Sequence, residues 1–522
     1  MKRGRGRTWQ PEGSDYNQIF EEQNPWHESR SVPDALAKPM ERPLAKFLWQ
    51  RLINNDPARF QLILGPRRVG KTTALYQTVK RLIGAGIPPK RIWWLRLDHP
   101  LLMEVELGEL VNLVIALAGA TPANPAYVFL DELTYAHSWD LWLKTFYDQS
   151  FPIRIAGSSS AAAALRNRRM ESGVGRWEEQ YLAPYLFGEY LELVGHAVPV
   201  PVEKNLSLTI RACVKDNVSI TDLAGHRRKF LLTGGFPELL MRGKDIQADE
   251  VNLLLQSQRT LRSDAVINAI YKDIPQAFGG VENPMMLERV LYTLAGQITG
   301  VLSAQTLCQG LDGLARQTFE RYLNYLERAF LVFTLPNYSG SESSKQKRGR
   351  SLYFIDGAVR NAALQRGIAP SQNPEEMGLL IENLAAGHLH ALGQQSQVRL
   401  YHWRDGNDEV DLVYDYTTKP LAIEISSKPS HRCDAINFFV SRFRRFQRNC
   451  YIVSPNSSCQ LPESSPDGIG SMPIDLFLLA ASAQAETELR SRLLLGRPGE
   501  TDPHSIQPSL FGDTFSFNNP VS

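Results

Sequence analysis

The fold of this chain is decided by the stretch Phe60-Gln-Leu-Ile-Leu-Gly65-Pro-Arg-Arg-Val-Gly70-Lys71-Thr72-Thr73. An apolar run leads into a loop bounded by two glycines, and a helical pattern follows. This spacing is that of a P-loop, whose backbone N–H groups turn inward around phosphates. The lysine of such a loop reaches the β- and γ-phosphates, and the threonine hydroxyl binds Mg²⁺. The nucleotide-binding residues are predicted to be Gly65, Pro66, Arg67, Arg68, Val69, Gly70, Lys71, Thr72 and Thr73.

A second motif, Ala126-Tyr-Val-Phe-Leu-Asp131-Glu132, reads as a strand that ends in two acids. Asp131 is predicted to bind Mg²⁺ together with Thr72. Glu132 and Lys71 are the predicted catalytic residues, because an acid beside the metal can polarise the water that attacks the γ-phosphate. A further strand-like run at 153–156 ends in Gly157-Ser-Ser-Ser160. Ser158 or Ser159 would sense the γ-phosphate there, although an ordinary serine-rich turn fits these residues equally well.

Strand-like and helical runs alternate from residue 60 to residue 156. This alternation predicts an α/β fold with a parallel sheet and crossover helices. A second α/β pattern begins near residue 352, and the residues between the two patterns are mostly helical by periodicity.

Further motifs make a family resemblance visible: Gly175-Arg176, Leu182-Ala-Pro-Tyr-Leu-Phe-Gly-Glu189 and Thr233-Gly-Gly-Phe-Pro-Glu238. Over about residues 42–455, the chain resembles prokaryotic AAA-type ATPases that carry a winged helix and a C-terminal restriction-endonuclease-like domain of unknown role. The resemblance implies that ATP is the nucleotide and that Arg176 contacts it in trans, which requires a homo-oligomer. The alternative for Arg176 is a surface position in a basic loop with Arg166, Arg168 and Arg169.

Six segments follow from these patterns. They are a polar, loosely docked N-terminal arm (1–41), the ATPase core (42–200), a helical and winged-helix region (201–338), a basic linker (339–350), the restriction-endonuclease-like domain (351–495) and a disordered tail (496–522).

The helix-turn-helix prediction rests on residues 303–313, 316–330 and 331–335, which read as helix, turn, helix and strand. Arg316, Arg321 and Arg328 would meet DNA phosphates from the second helix. A simple packing pair of helices is at least as compatible, because Glu320 and Glu327 share that surface.

By resemblance, Glu382, Asp411 and Glu424 occupy the acidic positions of a restriction-type nuclease. Carboxylates of this kind bind Mg²⁺, and a lysine orients the attacking water. In this chain Ser426 occupies the position of that lysine, and the nearest lysine, Lys428, lies two residues further along the sequence. A degenerate domain that serves as a scaffold or binds DNA is therefore favoured over an active nuclease.

The net charge of +2 neither indicates nor excludes DNA binding, because 57 Lys and Arg are offset by 55 Asp and Glu over the whole chain. Local basic clusters lie at 345–350 and at 442–448, where arginines alternate with Phe443 and Phe446. An amphipathic helix of this composition would follow a nucleic-acid backbone. In the alternative, the phenylalanines lie in the core and the arginines in solvent.

The tail residues Gln507, Leu510 and Phe511 resemble the short peptides that bacterial sliding clamps bind, although Pro508 departs from that pattern and such motifs arise by chance. We expect a cytoplasmic protein: no apolar stretch approaches about 18 residues, and no secretory signal is evident. The five cysteines are scattered without metal-type pairs.

The favoured function is an ATP-hydrolysing ATPase that acts on DNA, in repair, replication, or mobile-element control and defence. Two alternatives stay open: a regulatory or signalling NTPase with protein-interaction domains, and an ATP-regulated DNA nuclease.

Overall fold

The computed structural model describes residues 13–161, 175–242, 249–278, 281–339, 349–426 and 433–494. Two five-stranded sheets and one two-stranded sheet lie among helices, so the predicted α/β class is confirmed. Among the helices of these ranges, none combines the length and the hydropathy needed to cross a membrane.

The first sheet has the strand order β2-β3-β4-β1-β5, and all neighbouring strands in it are parallel. The central strands are buried except at Arg154, as expected for a parallel sheet covered by helices on both faces. Its strands are β1 (Phe60–Leu64), β2 (Ile92–Arg96), β3 (Ala126–Asp131), β4 (Ile153–Ser159) and β5 (Trp177–Tyr181). The helices of this part are α1 (Gly13–Gln23), α2 (Trp26–Ser29), α3 (Pro43–Asn54), α4 (Lys71–Gly84), α5 (Pro100–Met103), α6 (Leu107–Ala118), α7 (Trp139–Asp148) and α8 (Phe187–Leu193), with short 3₁₀ turns at Pro89–Arg91 and Leu133–Tyr135.

The described part of the N-terminal arm is docked onto this sheet, in contrast to the loose extension that its composition predicts. The side chain of Asn24 bonds both the N–H and the C=O of Trp94, at 2.6 and 3.1 Å. The indole of Trp26 is fully buried and donates to the carbonyl of Ile92 at 2.9 Å. Because β2 is an edge strand, these two side chains satisfy backbone groups that a neighbouring strand would otherwise bond.

The middle region is helical, as predicted, and ends in an antiparallel pair of strands, β6 (Val332–Pro336) and β7 (Arg350–Phe354). Arg350 belongs to β7 and pairs with Pro336, so the predicted basic linker ends inside a strand. The helices are α9 (Leu206–Lys215), α10 (Leu223–Thr233), α11 (Pro237–Arg242), α12 (Glu250–Leu261), α13 (Ile274–Phe278), α14 (Pro284–Ala295), α15 (Ala304–Gly310) and α16 (Arg316–Arg328). Between α12 and α13 the chain forms two π-helical stretches, Arg262–Ile267 and Ala269–Asp273.

The second five-stranded sheet has the order β12-β11-β10-β9-β8 and mixed direction. Its first three strands in the sequence form an antiparallel meander, whereas the later strands run parallel to β10. The strands are β8 (Leu400–Asp405), β9 (Asp408–Tyr414), β10 (Leu421–Ile425), β11 (Cys450–Ser454) and β12 (Gly470–Pro473). The helices are α17 (Gly357–Leu364), α18 (Ala369–Gln372), α19 (Pro374–Ser396), α20 (Asp434–Arg442) and α21 (Ile474–Leu494), with 3₁₀ turns at Arg444–Phe446 and Pro462–Ser464.

The last helix, α21, joins the C-terminal part to the first sheet's helices. Glu486 on α21 lies 3.3 Å from Lys46 on α3, and Ser482 accepts from the N–H of Gly188 on α8 at 3.2 Å. One hydrophobic cluster includes Leu48 of α3 and Leu478 of α21. The segments predicted as separate domains therefore share a common core.

Candidate nucleotide site

The P-loop connects β1 to α4 at the carboxyl edge of the first sheet. Gly70 has a φ of +91°, a conformation that glycine adopts without strain. A Cβ at Gly65 would lie 2.2 Å from the carbonyl oxygen of Leu182, so only glycine fits there. Arg42 supports the loop from behind, because its guanidinium donates to the carbonyl of Val69 at 2.7 Å. That role for Arg42 carries no signal in the sequence.

Lys71 lies across this loop with its side chain buried. Its Nζ donates to the carbonyl oxygens of Gly65 and Pro66, at 2.9 and 2.8 Å. Burial lowers the pKa of Lys71, while the nearby carboxylates of Glu132, Asp273 and Asp131 oppose that change. The Lys71 amine therefore lies within the loop in which the phosphates would bind.

The start of α4 offers donors for an anion. In the described part of the chain, the backbone amides of Lys71, Thr72 and Thr73 meet no hydrogen-bond acceptor. The first turn of a helix leaves such amides unpaired, and its dipole favours negative charge. These donors and the Lys71 amine fit the phosphates of a nucleotide.

Two of the predicted residues form hydrogen bonds with the carboxylate of Asp131. The Thr72 hydroxyl lies 3.0 Å from one of its carboxylate oxygens, and the Ser158 hydroxyl donates to the other. Burial, followed by repulsion from Glu132, raises the pKa of Asp131 to about 6. A carboxylate and a hydroxyl are ligands that Mg²⁺ accepts when a substrate phosphate and waters complete its shell. The described residues hold no group of three or more His, Cys, Asp or Glu that would bind a metal unaided.

Glu132 follows Asp131 in a left-handed conformation, with a φ of +55°. Its carboxylate accepts from the Ser160 hydroxyl at 2.9 Å, and its N–H donates to the Ser158 hydroxyl at 3.2 Å. Ser158, one of the two predicted sensors, therefore contacts the acid motif, whereas the Ser159 hydroxyl donates to the carbonyl of Ala161 at 2.9 Å. Ser160, the residue that follows β4, was not predicted as a sensor.

Arg176 lies at the opposite end of the sheet from the P-loop. Its carbonyl accepts from the N–H of Phe60, at the start of β1, whereas the P-loop follows the end of that strand. Its guanidinium contacts Asp148 at 2.7 and 3.0 Å. Arg176 therefore does not contact the nucleotide site of its own chain. The other arginines of its predicted basic loop, Arg166, Arg168 and Arg169, lie outside the described residues.

The two P-loop arginines contact the middle region. Arg67 forms a two-pronged ion pair with Asp273, which lies at the end of the second π-helical stretch. Arg68 contacts Asp264 at 2.7 Å and Glu238 at 3.1 Å. Glu238 belongs to the Gly-Gly-Phe-Pro-Glu motif, but Asp264 and Asp273 carried no sequence signal. Elements of the middle region thus border the nucleotide site directly.

The predicted acids of the C-terminal domain come together between α19, β9 and β10. Burial, with repulsion from Glu409 and Glu424, raises the pKa of Glu382 to about 8, although a hydrogen bond from Tyr353 opposes this. Burial, followed by repulsion from Glu382 and Glu424, raises the pKa of Asp411. Tyr353 donates to Glu382 at 3.1 Å, and Asp411 accepts from the N–H of Ile425 at 2.7 Å. Lys428 lies outside the described residues.

The predicted amphipathic helix over residues 442–448 is wrong. Helix α20 ends at Arg442 and a 3₁₀ turn occupies Arg444–Phe446. Phe446 is buried in a core of aromatic residues. Arg442 and Arg445 form ion pairs with Asp405 and Asp415. This matches the alternative in which the phenylalanines lie in the core.

Family models match three parts of the chain. Residues 58–191 match an AAA domain family, AAA_14, so this part is an AAA-type P-loop ATPase domain. Residues 225–369 and 377–466 match DUF8612 and DUF4143, both described as domains of unknown function.

Two curated relatives are described as uncharacterized proteins. The protein MJ1544 of Methanocaldococcus jannaschii is 24% identical over 391 residues, which cover 71% of this chain and 77% of that protein. An uncharacterized protein of Haemophilus influenzae is 23% identical over 352 residues, covering 67% of this chain and 80% of its own length.

Two solved structures show weak similarity. The Walker-type ATPase PABY2304 of Pyrococcus abyssi aligns with a TM-score of 0.39 at 12% identity, over 63% of this chain and 99% of that one. The ORC1 protein of Aeropyrum pernix, solved in complex with DNA, aligns with a TM-score of 0.31 at 12% identity, over 66% and 97%. At TM-scores this low, the overlap says nothing about function.

Proposed function

We propose that this AAA-type P-loop protein hydrolyses ATP and couples hydrolysis to conformational change on DNA. The observation that carries the ATPase part is the meeting of Lys71, Thr72, Asp131 and Glu132 at one edge of the sheet. Lys71 and the amides at the start of α4 would bind the phosphates. Thr72 and Asp131 would hold Mg²⁺, which when bound neutralises charge on the β- and γ-phosphates. Glu132, oriented by Ser160, positions the attacking water.

The DNA part rests on the order of elements from α14 to β7. Helices α14, α15 and α16 are followed by the antiparallel strands β6 and β7, and Val301, between α14 and α15, forms a bridge to Ser351. Three helices, a short bridging strand and a hairpin are the elements of a winged helix-turn-helix. In that motif the helix at the position of α16 enters the major groove.

Among the described residues, helix α16 has an exposed face that carries arginines. Phe319, Tyr322 and Leu323 are buried beneath it, whereas Arg316 and Arg321 are exposed on the other side. Arg328, the third predicted phosphate contact, is half-buried, unlike the other two, and lies over the ring of Phe278 at 6.0 Å. We therefore assign the phosphate contacts to Arg316 and Arg321.

The C-terminal domain serves as a scaffold in this proposal. Glu382 accepts a hydrogen bond from Tyr353, and Asp411 accepts one from the N–H of Ile425, so protein donors already bind these acids. Helix α21 ties the domain to α3 and α8 of the ATPase core. An ATP-regulated nuclease stays the second candidate because Glu382, Asp411 and Glu424 are close enough to repel one another, although among the described residues no three such side chains are placed to hold a metal ion. The sliding-clamp motif in the tail, which lies outside the described residues, stays a prediction, as does the cytoplasmic location.

The DNA assignment is tested by measuring duplex binding across a series of salt concentrations. Each lost phosphate contact lowers the slope of log K against log salt by about 0.9. The variants Arg316→Ala and Arg321→Ala should each lower that slope and weaken binding. The control is Lys80→Ala, which removes an exposed cation on α4 that pairs with Asp34. Wild-type protein that binds no duplex, or equal slopes in all four proteins, would contradict the DNA part of the proposal.

A further inference from the structure

The ion pairs between the P-loop and the π-helical segment do more than border the site. Asp273 is nearly inaccessible to solvent, with 4% of its side chain exposed, and both of its oxygens face the Arg67 guanidinium. Its charge also reaches Lys71 and Tyr135. A carboxylate therefore lies close to the cations that a nucleotide phosphate would need.

The π-helical winding is what brings Asp264 and Asp273 to the same loop. The two residues are nine positions apart in the sequence. With hydrogen bonds from i to i+5, a π-helix has roughly 4.4 residues per turn, so nine residues make about two full turns. In an α-helix of 3.6 residues per turn, the same nine residues make about two and a half turns. Rewinding the segment to α-helix would place the two acids on opposite faces, so both could not contact adjacent P-loop arginines.

Single π-helical turns inside helices are rare and occur often at functional sites. Here two such stretches follow each other over residues 262–273, broken only at Asn268. The hydrogen bonds at the ends of the two stretches run from i to i+5, from the N–H of Asn268 to the carbonyl of Ser263 and from the N–H of Ile274 to that of Ala269. Rewinding would replace such bonds by those of an α-helix. The ion pairs to Arg67 and Arg68 are the compensating contacts in this state.

The segment is also connected to the helix assigned to DNA. It runs directly into α13, whose last residue is Phe278. The ring of Phe278 lies 4.2 Å from that of Tyr325 on α16, and the guanidinium of Arg328 on the same helix lies 6.0 Å from it. A change in the helical winding of residues 262–273 would therefore reach α16 through the packing contacts of Phe278.

We propose that residues 262–273 form a latch, in which Asp264 and Asp273 hold the P-loop arginines by ion pairs. ATP binding breaks these ion pairs, because the phosphates bind the arginines instead. This inference rests on the proposed ATPase function. The phosphates compete with Asp273 for Arg67 and repel its carboxylate. Once released, the segment rewinds toward α-helix, and α13 carries the rotation to α16. The latched protein binds ATP more weakly than an unlatched one, because part of the binding free energy opens the latch.

The wild-type protein gives the first test, by hydrogen exchange with and without Mg²⁺ and a non-hydrolysable ATP analogue. The latch predicts that the exchange rates of amides 262–273 change by at least about fivefold when the analogue binds. Those in the middle of α21, which is tied to the core, should stay constant. Binding of the analogue with unchanged exchange over 262–273 would overturn the latch but leave the ATPase proposal intact.

Substitutions give the second test. Asp273→Asn should tighten binding of the analogue about tenfold and alter exchange over 262–273 before any nucleotide is added. The matched control is Glu250→Gln, an acid on the preceding helix that pairs with Arg228 rather than with the P-loop. Unchanged or weaker binding in Asp273→Asn, with a wild-type melting temperature, would show that Asp273 supports the P-loop instead of blocking it. Binding that persists in Lys71→Ala would instead count against the nucleotide site itself.

Discussion

The hydroxyl of Thr72 lies 3.0 Å from a carboxylate oxygen of Asp131, although 59 residues separate them in the chain. The contact joins the start of α4 to the end of β3, and both lie at the carboxyl edge of the sheet. In the proposed function, Thr72 and Asp131 would hold Mg²⁺ at this contact between the P-loop and the acid motif.

Asp131→Asn should lower the rate of Mg²⁺-dependent ATP hydrolysis by at least about 100-fold, because the amide cannot replace the charge that holds the metal. ATP binding measured without Mg²⁺ should change little, since Lys71 and the helix amides are untouched. The control is Asp34→Asn, which removes an exposed acid outside the site. A variant that hydrolyses ATP at the wild-type rate would show that Asp131 does not hold the metal.

The family resemblance implies that Arg176 acts in the site of a neighbouring subunit, and within its own chain it lies at the other end of the strands from the P-loop. Arg176→Ala should lower the hydrolysis rate by about 10³-fold, the effect typical of an arginine supplied in trans. The control is Arg59→Ala, since Arg59 lies at the same end of the sheet and pairs with Glu178.

Mixed subunits separate this role from a structural one. Lys71→Ala subunits retain Arg176, and Arg176→Ala subunits retain an intact P-loop. Each variant alone should be inactive, and a mixture of the two should regain hydrolysis. A mixture that stays inactive, or a protein that sediments as a monomer with ATP, would refute the role in trans.

His388 should make stability depend on pH. Its Nε2 accepts from the N–H of Phe187 at 2.9 Å, and its Nδ1 faces the carbonyl of Leu384, so the ring must be neutral. Burial lowers the pKa of His388 to about 4. The unfolded chain therefore takes up a proton first as the pH falls below about 6.5, and stability is lost progressively between about pH 6.5 and 4, by up to about 3 kcal/mol.

Chemical denaturation at a series of pH values measures this effect. His388→Asn, which cannot titrate, should show a flatter loss of unfolding free energy than the wild-type protein over that range. His137→Asn, at an exposed position, serves as the control and should follow the wild type. If all three proteins lose stability in parallel, His388 is not the titrating group.

Much of the ATPase core was predictable because its signals are local. Each of its two main motifs lies within a short stretch of sequence. One is the P-loop between a strand and a helix, and the other is the apolar strand that ends in Asp131 and Glu132. The parallel sheet follows from the alternation of strands and helices. By contrast, the contact of Asp273 with Arg67 joins residues 206 positions apart, and it depends on π-helical winding that no sequence pattern announces.

Two predictions that rested on composition were wrong, because contacts with distant residues determine the structure there. The first 41 residues are polar on average, but Asn24 and Trp26 dock the segment by bonding the backbone of β2. The arginines near residue 445 look like a nucleic-acid surface, but Asp405 at the end of β8 and Asp415 just after β9 pair with two of them. In both cases the partner lies far away in the sequence.

The central claim is tested most directly by the steady-state rate of ATP hydrolysis with and without duplex, forked or single-stranded DNA, for the wild-type protein and Lys71→Ala. We predict that the wild-type protein hydrolyses ATP, that at least one DNA structure raises its rate, and that Lys71→Ala hydrolyses none. Hydrolysis retained in Lys71→Ala, or a wild-type rate that no DNA structure changes, would contradict the account.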